Sequence, residues 1–257
     1  FFPYRYAIGE DWQKVLPEFI PQFAAARTDE QYRLTALAII ARIHDTHANI
    51  FGADKVMSAY YGQYYTPVQV RFVEGQAVVT AYYHETLGPA TGLQKGDVVL
   101  QVDGVPVADM VKAQQPLTPA SNEPTQLRNI AKNLLRGHTN QVKLLVRRDG
   151  REFPVTVART TLDNGLKFSI DYGTPDPKAP AWHLLPANIG LITLGTLHKD
   201  QLPAIMQGAK ATKGLVIDLR NYPAEFTVAY ALPQYLMPKK RRFRSFPAPS
   251  STTPEYF

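Results

Sequence analysis

His44, Asp45 and His47 lie within four residues of one another, and imidazole and carboxylate are the groups that hold divalent metals or move protons near neutral pH. Residues three apart share a helix face, so the two histidines could converge on one ion. No third ligand group with suitable spacing accompanies them, so neither a metal site nor a cofactor is expected. The other use of such an imidazole is as a base for a hydroxyl nucleophile, which is inert until its proton is taken. The six serines are Ser58, Ser121, Ser169, Ser245, Ser250 and Ser251. None sits in a Gly-x-Ser-x-Gly elbow or opens a Ser-x-x-Lys pair, and no His-Glu-x-x-His segment occurs. The absence of cysteine removes thiolate nucleophiles, disulfides and cysteine zinc sites together. His47 also falls on an apolar stripe with Tyr32, Ile39 and Ile43, where a histidine at a helix end packs or caps. His84, His138, His183 and His198 lack such neighbours and read as surface or loop residues.

The elements that must position these residues follow from periodicity. Trp12, Val15, Leu16, Phe19, Ile20 and Phe23 recur at helical steps between Glu10 and Arg27, with a break or kink expected near Pro17 and Pro21. A second helix is expected from Asp29, as N-cap, through Ile43, ending between His44 and Asn49. Together these predict a helical subdomain over residues 1–60.

Residues 61–160 alternate as β structure around one helix. Val68–Phe72 and Ala77–Thr80 flank Glu74-Gly75, Val98–Val102 lies between Gly96-Asp97 and Asp103-Gly104, and Val142–Val146 faces Phe153–Val157 across Asp149-Gly150. The helix is expected over Pro124–Arg136, with Ser121 or Asn122 as cap and Gly137 as stop. The Gly92–Val107 stretch reads as a PDZ-type peptide-binding module. In that arrangement an extended ligand joins a sheet edge beside a helix, which makes Val68, Val70, Leu127, Ile130 and Leu134 the expected walls of a peptide groove. After the proline-rich stretch Thr174–Pro180, a strand over Asn188–Leu194, a helix over Asp200–Ala211 and a largely apolar strand over Leu215–Leu219 have the βαβ rhythm of a covered parallel sheet. The fold class is α+β and multidomain, with the first part of an α/β domain over residues 161–257.

The ordered set Asp45-Thr46-His47, Gly92–Val107 and Asp218-Leu219-Arg220-Asn221-Tyr222-Pro223 resembles the tail-specific, or C-terminal-processing, serine peptidases, in the branch that includes tricorn-type proteases. The resemblance covers nearly the whole chain, and Phe1–Tyr6 and Trp12 look like the start of bacterial members. It implies a crotonase-like α/β domain, His47 as general base, Thr46 as the hydroxyl that orients it, and an oxyanion hole at the loop after Leu219. Tyr222 and Ala224 are the matching candidates there. Where the family often carries Gly-Gly this chain has Ala224 and Glu225, and Pro223 has no N–H to give. The family's serine and its lysine or glutamate partner normally lie beyond residue 257. The chain therefore reads as a piece of a longer polypeptide, inactive alone, with a periplasmic, envelope or secreted location implied.

The 257 residues, 45% of them apolar, can bury a substantial core, and no run of apolar residues is long enough for a membrane span. A net charge of +6 would suit nucleic acid, but the dense basic run Lys239–Arg244 has no stacking platform beside it and reads as a solvated loop or edge, so no nucleic-acid partner is expected. A peptide or protein partner fits better. The competing functional class is a non-catalytic PDZ-bearing binding or scaffold protein. A retinoid- or lipid-binding relative built from the same domains is a third reading.

Overall fold

The computed structural model describes residues 8–50, 54–166 and 178–237. The segments Phe1–Tyr6 and Lys239–Arg244, residues 174–177 of the proline-rich stretch, and Ser169, Ser245, Ser250 and Ser251 lie outside the described residues. The chain divides into two compact units, Phe1–Lys167 and Phe168–Phe257.

In the first unit, α1 spans Trp12–Ala25, opened by the Asp11 carboxylate accepting the Gln13 N–H at 3.1 Å. It runs through Pro17 and Pro21 as one helix rather than breaking there. Both prolines are on the exposed side, where water can take the carbonyl each leaves unbonded. The second helix, α2, spans Asp29–Ala41 and is capped by Thr28, not Asp29, with the Thr28 hydroxyl accepting the Gln31 N–H at 3.2 Å. Asp29 and Glu30 instead occupy the first turn, where the helix dipole favours them. Arg42 ends α2 earlier than the sequence suggested, and His44 takes a left-handed backbone with φ 54°, which no helix can continue through. His47 is therefore not on the α2 stripe. Arg42 is held by both oxygens of Glu10, at 2.8 and 2.7 Å from its Nε, and by Glu18, so the chain leaves α2 in a set direction. Those bonds from Arg42 keep the Glu10 carboxyl below its ordinary pKa. A third helix, α3 (Asp54–Tyr61), had no sequence signal that stood out.

The sheet of this unit comprises β1 (Val68–Val73), β2 (Gln76–Tyr82), β3 (Val98–Val102), β4 (Val105–Pro106), β5 (Gln141–Arg148) and β6 (Arg151–Ala158). Its order is β1-β2-β3-β5-β6, with β4 paired to β3, so β1 is an edge. The three predicted hairpin turns are present. Glu74/Gly75, Asp103/Gly104 and Asp149/Gly150 all have paired positive φ values, the backbone that two-residue turns of right-twisted hairpins require. Val146 faces Phe153 and Val142 faces Val157, as the alternation predicted. Short α4 (Leu87–Ala90) and α5 (Val107–Gln114) connect strands, and α6 spans Glu123–Ala131 with the Asn122 side chain accepting the Thr125 N–H at 2.9 Å. The chain continues to Leu135 as turns rather than as helix. Val79, Val99, Leu134, Val142, Val146 and Val157 lie in a closed core, and each such side chain contributes about 1.5–3 kcal/mol relative to leaving it exposed.

Two buried arrangements lock this sheet. Asp97, 1% exposed, receives Arg148 through both oxygens at 2.6 and 2.7 Å and the Gln94 N–H at 2.8 Å. Burial alone would raise its pKa, but the Arg148 and Gln94 hydrogen bonds outweigh it and hold the carboxyl below the usual range. A lowered folded pKa means stability that is present above the unfolded value near 4 and is lost as pH falls through the folded one. Acid titration of unfolding should show that loss below about pH 4, with a flatter profile in Asp97→Asn. Arg159, also buried, donates to the carbonyls of Leu135, Arg136 and Gln141 at 2.8–3.1 Å and so satisfies the turns after α6. Arg136 donates twice to the Gly62 carbonyl and lies 4.4 Å from the Tyr65 ring centre. Gly62 and Gly137 are packed backbone to backbone beside the paired Tyr64–Gly137 bonds, and a Cβ at Gly62 would overlap the Gly137 carbonyl.

The second unit holds β7 (Trp182–Leu185), β8 (Ile189–Thr193) and β9 (Gly214–Asp218) in the order β7-β8-β9, with α7 (Leu202–Ala209) crossing between β8 and β9. The β8–β9 pair is parallel, as the βαβ reading expected, and β7 adds antiparallel. The predicted Asp200–Ala211 helix begins as a tight turn over Lys199–Gln201 before α7. Ile192, Leu197, Leu202, Met206, Val228 and Leu232 form the core, joined by α8 (Val228–Ala231) and α9 (Pro233–Leu236). The Trp182 indole lies over Gly190, where a Cβ would overlap it.

Candidate functional site

The segment after α2 builds a compact turn at Asp45–Ala48. The Asp45 side chain accepts the His47 N–H at 2.8 Å and its carbonyl accepts the Ala48 N–H at 3.1 Å. His47 Nδ1 is 3.6 Å from the Asp45 carboxylate, and the imidazole is 96% exposed. It is thus presented to solvent rather than packed.

Thr46 is pinned from 75 residues away. Its N–H donates to the Ser121 hydroxyl at 3.1 Å, the two hydroxyls are 3.0 Å apart, and the Ser121 N–H donates to the Thr46 hydroxyl at 3.0 Å. Ser121 immediately precedes Asn122, the cap of α6, so the His47 turn is tied to the start of that helix. Sequence reading offered Ser121 only as a possible cap or as one of six unremarkable serines. Ser121→Ala removes the acceptor of the Thr46 N–H. Amide exchange at Thr46 is expected to quicken by about tenfold or more, with Ser121→Thr keeping it slow and stability moving by no more than about 1 kcal/mol. Unchanged exchange in the alanine variant would mean that Asp45 holds the turn by itself.

Of the expected peptide-groove residues, Val68 and Val70 lie on β1, Leu127 and Ile130 on α6, and Leu134 in the turns that follow α6. Val68, Val70, Ile130 and Leu134 are buried, with 5% exposure or less, and Leu127 is half-buried. The outer edge of β1 carries no partner strand among the described residues.

Tyr222 and Ala224 belong to the second unit, in the loop after β9. Asp218 at the end of β9 accepts from Arg220 through both oxygens, at 2.9 and 2.7 Å, and from the Arg220 N–H at 3.0 Å. These bonds pull its carboxyl down to about 2. The Ala224 N–H donates to the Leu194 carbonyl at 2.9 Å, while Tyr222 is 91% exposed. Glu225 accepts the Lys199 N–H at 2.8 Å, closing the loop onto the turn before α7. Among the described residues no group of three metal-ligating side chains forms, and no helix is long and apolar enough to cross a membrane.

No family model and no curated protein matches the sequence. Among solved structures the chain is similar to a serine-to-alanine mutant of CPAF, at 16% identity and a TM-score of 0.58, covering 88% of this chain and 53% of that one. It is similar to mature CPAF at 13% identity and a TM-score of 0.55, covering 89% and 53%. A photosystem II D1 C-terminal processing protease matches at 16% identity over 81% of this chain and 54% of its own, with a TM-score of 0.30 that is too low to carry an argument. The chain therefore shares the fold of CPAF and spans about half of its length.

Proposed function

We propose that this chain is the recognition portion of a serine peptidase of the tail-specific, C-terminal-processing type, in its tricorn-type branch and of bacterial origin. The division is a helical subdomain over 1–60, a PDZ-like domain over 61–160 and the first part of a crotonase-like α/β domain over 161–257. His47 is the general base and Thr46 holds its turn. The nucleophilic serine and its partner come from sequence outside these residues, so the chain alone binds without cleaving. The observation that carries this reading is the solvent-facing His47 on a turn held from two sides, by Asp45 and by the Thr46–Ser121 bonds. The order of the three motifs and the CPAF-like fold support it.

Two details shape the mechanism. The Ala224 N–H is engaged by Leu194 and Pro223 has none, so Tyr222 is the better oxyanion donor. Val68, Val70, Ile130 and Leu134 are packed inward, so a peptide added along β1 is held by strand backbone and Leu127, with the four buried residues shaping the edge beneath it. A periplasmic, envelope or secreted setting goes with this reading.

A serine-directed covalent probe, applied to the longer polypeptide and mapped by mass spectrometry, tests it. Labelling of one serine outside residues 1–257, lost when the protein is unfolded, is the expected result. Folded protein that neither labels nor cleaves would give the lead to the PDZ-bearing binding-protein reading, which the departure from Gly-Gly at Ala224-Glu225 favours.

A further inference from the structure

A cavity of about 330 Å³ lies within the first unit, lined by residues of α2, α3 and α6 and of the turns beside them. Its walls include Asn49, just past the His47 turn, and Thr118, just before Ser121, so the Thr46–Ser121 bonds hold its rim together. The remaining polar lining among the described residues is Tyr61, Asn129, Lys132, Asn133 and Arg136, with no aspartate or glutamate among them.

The hydrogen bonds of the three asparagines are one-sided. The Asn49 oxygen accepts the Ile50 N–H at 2.8 Å, the Asn133 oxygen accepts from Arg136 at 2.9 Å, and the Asn129 oxygen accepts from Arg128 at 3.4 Å. Each amide oxygen thus already has a donor residue, while the three side-chain NH2 groups donate to no acceptor among the described residues. Arg136 is half-buried, and its partners are the Gly62 carbonyl, Ser58, Asn133 and the rings of Tyr61 and Tyr65. Among the described residues no carboxylate pairs with it. Burial pushes its pKa below the usual arginine value, the mark of a desolvated cation without a compensating anion.

We infer that this cavity is a carboxylate-binding site, in which the amide groups of Asn49, Asn129 and Asn133 donate to the ligand oxygens and Arg136 supplies the opposite charge. The carboxylate belongs to a peptide, either to an acidic side chain or to a chain terminus. As a statement about substrate this rests on the peptidase reading, and it deepens it by naming what a peptide presents beside His47. As a statement about binding it does not depend on catalysis.

The test is a titration of the ¹⁵N-labelled 257-residue chain, following the side-chain amide signals of the three asparagines. The probes are N-acetylglutamate α-amide, N-acetylglycine and N-acetylglutamine α-amide, each to about 20 mM, since ligands this small bind weakly. Saturable shifts with the first assign the site to an acidic side chain, and with the second to a terminus. The neutral glutamine probe should shift the signals little. Asn129→Asp keeps shape but adds a like charge, and should weaken binding by about tenfold or more. Equal response to the neutral probe, no response to either carboxylate, or an Asn129→Asp variant that binds as tightly as the parent would overturn the inference. Cleavage unaffected by loss of His47 would sink the peptidase reading while leaving these titrations as they stand.

Discussion

Gly62→Ala should destabilise the first unit by about 3–5 kcal/mol, a fall in Tm of roughly 10 °C. Two costs add. The backbone at Gly62 has φ 90°, which an L side chain resists, and the new Cβ would overlap the carbonyl of Gly137. Relief requires the two strands of backbone to part, which breaks the reciprocal Tyr64–Gly137 bonds at 3.1 Å and moves the Gly62 carbonyl away from Arg136. Gly75→Ala is the control. Its φ is 76° but nothing lies within 4 Å of its Cβ position, so only the backbone term of about 1 kcal/mol applies. Equal loss in both variants by thermal denaturation would show that the close approach at Gly137 contributes nothing.

The largest functional effect is expected for His47→Ala in the polypeptide that carries the serine. Without a base the hydroxyl nucleophile keeps its proton, and kcat should drop by about a thousandfold or more with KM nearly unchanged. Because the imidazole is 96% exposed, stability should shift by less than about 0.5 kcal/mol. This pairing separates catalysis from packing. A variant that cleaves normally rules out the base, and one that loses stability rather than kcat restores the packing role suggested by the Tyr32–Ile39–Ile43 spacing.

That spacing shows where sequence reading stops. A stripe is extended by counting residues, and the count continues past a point where one residue leaves the helical basin; His44 does so with no glycine or proline to announce it. The hairpins of the sheet were legible because their turns need positive φ, and glycine follows an acidic residue at each of the three places. The β8–α7–β9 unit was legible from the apolar run Leu215-Val216-Ile217 and the strand–helix–strand rhythm around it. By contrast β7 has four residues, three of them exposed, and offers no alternation to read. Of the proposed site, half was visible in the sequence. His47 and Thr46 announce themselves by type and by resemblance, whereas Ser121, the cavity asparagines and buried Arg159 owe their places to contacts across long stretches of chain, which local pattern cannot encode.

Each compact unit carries one of the chain's two tryptophans, Trp12 on α1 and Trp182 on β7. Trp182 rests on the bare backbones of Gly190 and Gly208, between a strand and the crossover helix. Its fluorescence consequently registers the packing of β7, β8 and α7 around it. In a chain bearing Trp12→Phe the emission becomes a private signal of the second unit, and the reciprocal Trp182→Phe chain reports the first. Denaturant curves from the two would resolve whether the units melt as one cooperative body or in sequence, a distinction that a single averaged transition conceals.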